Sequence, residues 1–188
     1  MIDARVGRLL AASLHQAIAD ELPQRLEFYE GWLRGQAMRD GTIGLAPITG
    51  VLGFLRTEGD AYERVVRRAG CLAADWSLAS LSPLRRRVIA ALPRTLRIRV
   101  ALNIVRGIAR DVCSTTRAAS RVQRGAATMS VRESPFCLAR EPQVRPLCGF
   151  YAELGAETLR QFGLPAVGRA ESCRSSGAPA CGVVLELR

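Results

Sequence analysis

The side chains with the most chemistry to offer in this 188-residue chain are six cysteines: Cys71, Cys113, Cys137, Cys148, Cys173 and Cys181. Cys173 and Cys181 stand eight positions apart across Arg-Ser-Ser-Gly-Ala-Pro-Ala, a run of turn formers. Such a pair can join as a disulfide, grip a metal through its thiolates, or be buried in reduced form. The redox compartment weighs the three. Asp3 precedes any basic cluster, and the apolar run at 9–14 gives way to His15 and Gln16, so no secretory signal is read at the start. We therefore expect a cytoplasmic protein with reduced thiols, which disfavours a disulfide and leaves metal binding and plain burial.

Catalytic patterns are scarce. His15 is the one histidine, on a helical stretch without an acid and a nucleophile spaced around it, and it reads as structural. GTIGLAPITG has glycines, but it lacks the GxGxxG fingerprint and the preceding strand of a dinucleotide site. A nicotinamide-dependent reductase would have no visible grip on its cofactor, and the reading leans against an enzyme.

Charge is uneven. All 27 basic side chains are arginine. Positions 1–60 hold six arginines against eight acids, 61–140 sixteen against four, and 141–188 five against five. The middle segment, at +12, attracts an anionic lipid surface, nucleic acid or a ligand carboxylate through one long-range field, or is simply a solvated helix face. Aromatics make up 5% and do not interleave with the arginines, so nucleic acid is the weak option. No run of eighteen uncharged apolar residues occurs.

Helices must position these groups first. Leu10, Leu14, Ala17 and Ile18 share one helical face, and Pro23 opens a second helix through Phe28 and Trp32 to about Gly41. Gly44, Pro47 and Gly59 punctuate two more. Ser82 and Pro83 read as N-cap and first turn of LRRRVIAAL, and Pro93 restarts a helix whose Leu96, Val100, Ile104 and Ile108 predict a core-facing row. A polar link near 117–125 then leads into the strand-like AATMSVRES, a helix around Phe150 and Leu154 ending at Gly163, and a hairpin in which Cys181, Val183, Leu185 and Leu187 share a face. The fold class is α+β: a helical N-terminal two thirds packed on a small antiparallel sheet formed mainly by C-terminal strands.

The blocks SPFC, PLCGFYAELGAETLRQFG and AESCRSSGAPACGVVLEL resemble the 4-vinyl reductase domain, over about residues 126–188. That small-molecule-binding family is related to transport-particle subunits of Golgi trafficking and to phenol-sensing domains of bacterial activators. Upstream, TIGLAPITGVLGFLRTEGDAYERVVRRAG is similar to proteins named for bacteriochlorophyll 4-vinyl reduction. The resemblance implies N-terminal helices over 1–41 and a ligand-binding domain over 42–188, within one globular unit. It implies a zinc site with Cys148, Cys173 and Cys181 as ligands. The fourth place falls to Cys137 or Glu171, because Ala170 stands where the family usually has its glutamate. It also implies an apolar cavity between the last helix and the sheet, lined by Trp76, Met129, Phe136, Phe150 and Leu154. A hydrophobic ligand of tetrapyrrole type would then present its carboxylates to arginines such as Arg85, Arg86, Arg97 or Arg99. A homodimer, peripheral membrane contact through the basic segment, an assembly module of the trafficking type and a reductase-associated enzyme stand as rival or additional roles.

Overall fold

The computed structural model describes residues 5–33, 43–123, 125–139 and 142–188. Strand β1 (Arg5–Val6) pairs antiparallel with β2 (Ile43–Gly44). Helix α1 (Arg8–Glu21) and α2 (Leu26–Leu33) follow β1, joined by a 3-10 turn at Pro23–Arg25. The predicted continuation of α2 to Gly41 and the boundary at 41/42 lie outside the described residues. Then come α3 (Leu45–Thr57), α4 (Asp60–Ala79), α5 (Pro83–Ala91) and α6 (Arg94–Val112). Ser82 caps α5 by accepting a hydrogen bond from the Arg85 amide at 3.4 Å, with Pro83 in the first turn.

The last third builds the sheet. Strands β3 (Arg117–Gln123), β4 (Ala126–Arg132), β5 (Ala166–Ser172) and β6 (Cys181–Leu187) form an antiparallel sheet in the order β3-β4-β6-β5. Helix α7 (Gly149–Gln161) crosses it and packs on α4 with its other side. The chain is thus α+β, with the helices of its first two thirds against a small C-terminal antiparallel sheet. One hydrophobic cluster runs from Val6 to Leu185.

Two elements differ from the sequence reading. The segment read as a polar link is strand β3, an edge strand that pairs only with β4 and buries no side chain completely. Its burial alternates, with Ala118 and Val122 packed partly on the core, but the inward residues are an alanine, a serine and a valine, too weakly apolar a set to read as a strand. In α6 the buried face is Ile98, Ala101, Leu102, Val105, Ile108, Ala109 and Val112, while Leu96 is exposed. A strict four-residue row drifts around a 3.6-residue helix, and the true face alternates steps of three and four.

Candidate metal centre and adjoining groove

Four thiols meet at one point. Cys137 ends the 3-10 turn Pro135–Cys137, which Ser134 caps by accepting from the Phe136 amide at 3.2 Å. Cys148 is the N-cap of α7. The Tyr62 hydroxyl donates to the Leu147 carbonyl at 3.1 Å and fixes the backbone just before Cys148. Cys173 follows β5 and starts the 3-10 turn Arg174–Ser176, closed by Gly177 at φ 91°. That positive φ suits glycine, and the Cys173 carbonyl accepts from the Ser176 and Ala178 amides. Cys181 opens β6 opposite Val131 of β4.

The Sγ atom of Cys137 lies 3.0 Å from that of Cys148, 3.2 Å from Cys173 and 3.1 Å from Cys181. Cys148 and Cys173 are 3.4 Å apart, and Cys173 and Cys181 3.8 Å. A disulfide needs about 2.05 Å, so all six cysteines are free thiols. Tetrahedral zinc with bonds of about 2.3 Å sets its sulfurs about 3.8 Å apart. The Cys173–Cys181 pair stands at 3.8 Å, four other pairs are closer, at 3.0 to 3.4 Å, and the cluster would open slightly around an ion. Three of the four cysteines are buried and Cys137 is half-buried. The Ser175 hydroxyl donates to the Cys173 sulfur at 3.0 Å, an outer contact of the kind that orients a ligand. Hydrogen bonds from Cys137, Cys148 and Cys181 pull the Cys173 thiol well below its ordinary range, whereas hydrogen bonds to the other three and then burial raise Cys148.

Glu171 is not part of this group. A register shift between Ala170 and Ser172 inserts it as a bulge residue without a partner on β6, and its side chain is exposed. The alternation that would have aimed it beside Cys173 is broken there. Cys137 is the fourth thiol of the cluster.

The sequence-named lining residues are dispersed or packed. Phe136 stacks on Phe150 with ring centroids 4.9 Å apart and planes at 23°, and both meet Tyr151 edge-on. Met129 and Leu154 are buried in the same core, and Trp76 is an exposed residue of α4. Helix α7 lies hard against the sheet, since a Cβ on Gly155 would sit 2.9 Å from the Leu185 side chain. The expected space between the last helix and the sheet is filled at these residues by direct contact. Arg86 donates to Gln161 Oε1 at 2.9 Å and Arg97 to the Ala90 carbonyl at 3.2 Å, while Arg85 and Arg99 point to solvent.

A groove of about 1080 Å³ opens elsewhere, between α3 and the segment after Cys137. Leu45, Gly50, Gly53 and Phe54 form one wall, and Leu138 and Ala139 the other. Arg56 straps the walls together by donating to the carbonyls of Phe136 at 3.1 Å and Leu138 at 3.4 Å. The Gln143 amide donates to the Ser175 carbonyl at 2.7 Å and ties the same segment to the metal-side turn. At the mouth, Phe54 touches Phe28 and Trp32, with centroids 5.2 and 5.6 Å away, and the Trp32 ring lies over Gly50. Sequence reading could not find this groove, because its walls are some eighty positions apart.

A second group escaped it too. Cys71, Asp75 and Glu157 bring their ligand atoms within 4.8 Å of one another, joined by Gln161. Burial, then the negative charge of Asp75, pushes the Cys71 thiol up to about 11.

No protein-family model matches the chain, and no curated protein matches it. Solved structures share its fold. An H-NOX protein from S. oneidensis in the Fe(II)NO ligation state covers 97% of this chain and 99% of its own at 15% identity and a TM-score of 0.58. An Fe(II) unliganded H-NOX mutant from K. algicida reaches 0.57 at 11% identity, over 97% of this chain and 96% of its own. A trafficking protein particle complex subunit 3 from Naegleria fowleri, covalently bound to palmitic acid, reaches 0.51 at 15% identity, over 91% and 96%. At these identities the likeness is one of fold.

Proposed function

We propose that this protein binds a small hydrophobic ligand in the groove beside α3 and that zinc at Cys137, Cys148, Cys173 and Cys181 builds the wall of that groove. The observation that carries the reading is continuity: Cys137 sits in the cluster, and the next two residues, Leu138 and Ala139, line the groove. An apolar cleft with a few polar groups is the usual form of such a site. Four sulfurs suit zinc and leave no open position, so the metal's role is structural. The fold neighbours support the general reading, because one holds nitric oxide on iron and another is covalently bound to palmitic acid. Iron of that kind is not carried over. Imidazole suits iron, and the single histidine here, His15, is engaged by Glu30 at 3.2 Å.

A tetrapyrrole of the bacteriochlorophyll series is the ligand we infer. Its flat ring would lie along the Phe28, Trp32 and Phe54 rim, and a carboxylate would meet Arg56 in place of the arginines named from sequence. Titration of the zinc-loaded protein with a porphyrin series, followed by absorbance, will give saturable band shifts. Gly53 has open space where a Cβ would stand, so Gly53→Leu will fill the groove without strain. That variant will lose at least about tenfold in affinity while gaining about 0.8 kcal/mol of helix stability. A flat response across the series would exclude the tetrapyrrole, and unchanged affinity in Gly53→Leu would exclude the groove.

A further inference from the structure

Helices α5 and α6 carry a surface that the ligand site does not use. Between residues 76 and 110 the chain has eight arginines and no acid. Elsewhere several arginines pair with carboxylates, as in Arg25–Glu58 at 2.8 Å, Arg68–Asp20 at 2.7 Å and Arg67–Glu153 at 2.8 Å. None of the eight pairs with an Asp or Glu side chain among the described residues. Helix α5 is held to the body lightly, with Ile89 as its one buried residue. Its opposite face presents Leu84, 73% exposed, and Val88, 56% exposed, one turn apart. Arg85 and Arg87 flank that apolar stripe on either side, and Leu96, Arg94 and Arg99 extend the exposed surface along the start of α6.

Bare leucine and valine beside unneutralised guanidinium groups call for a partner that is anionic and oily at once. We propose that the α5–α6 hairpin docks on an anionic lipid bilayer, with Leu84 and Val88 entering the headgroup boundary and the flanking arginines meeting lipid phosphates. A nucleic acid would satisfy the charge but leave the apolar stripe in water, and these helices offer no aromatic ring for base stacking. Among the described residues no helix is long and apolar enough to cross a membrane, so the contact is peripheral.

Flotation of the zinc-loaded full chain with vesicles of phosphatidylcholine, with and without phosphatidylglycerol, tests this. Binding will require phosphatidylglycerol and weaken with salt. Arg85→Glu with Arg87→Glu will reduce it by at least about 25-fold, about fivefold for each charge. Leu84→Ser with Val88→Ser will reduce it by about tenfold. All four positions are surface residues or flank the stripe, so thermal unfolding of both variants will match the native chain. Gly53→Leu will bind vesicles as the native chain does, which separates this surface from the ligand groove. Absence of binding to the anionic vesicles, full binding by the serine pair, or tight binding to duplex DNA with none to vesicles would overturn the proposal.

Discussion

Cys181→Ser will lower the melting temperature of the zinc-loaded protein by about 8–16 °C, corresponding to a loss of about 4 kcal/mol. Serine keeps the volume, so the loss measures the missing sulfur and not a cavity. The four cysteines come from a 3-10 turn, the cap of α7, the end of β5 and the start of β6. A metal held by all four locks elements separated by as many as 44 positions. With one ligand gone, the buried thiols of Cys148 and Cys173 and the half-buried one of Cys137 face one another without the charge that organised them. The hydrophobic cluster of the chain is large, so the variant will still fold. Cys71→Ser is the control, because Cys71 lies outside the four-sulfur group. Equal melting curves for the two variants would show that the sulfurs are merely packed.

Alanine at Gly168 or Gly70 will destabilise the protein by about 3 kcal/mol. A Cβ on Gly168 would stand 2.0 Å from the Ala152 carbonyl oxygen, and one on Gly70 2.3 Å from that of Phe150. Both obstacles are backbone of α7, which is gripped by β5 on one side and α4 on the other. Backbone within a helix cannot step aside as a side-chain tip can, so the whole of α7 must move. Its N-cap is Cys148, and zinc affinity will fall together with stability. Gly107→Ala on α6 provides the contrast: open space surrounds its Cβ position, and alanine there will be neutral or stabilising. Chemical denaturation of the three variants reads the difference, and equal midpoints would contradict the packing.

Local chemistry made much of this fold legible. Ser82 and Pro83 announced α5, Gly163 at φ 68° closed α7, and the alternation from Cys181 marked β6. What stayed hidden depends on partners remote in sequence. The polar run of β3 is a strand because β4 lies beside it, and the core face of α6 is set by what it packs on. The bulge at Glu171 inverts an alternation that reads as regular in one dimension. The motif singled out Cys148, Cys173 and Cys181, whose thiols lie together in the fold. That Cys137 and not Glu171 stands beside them is visible only with the register of β5 on β6.

Metal content tests the central claim most directly. Elemental analysis by mass spectrometry of protein purified without chelator will find one zinc per chain, and a thiol reagent added under native conditions will label fewer than the six cysteines until the zinc is removed. Protein free of zinc and other metals, folded and with the four clustered thiols reacting independently of added zinc, would contradict the account.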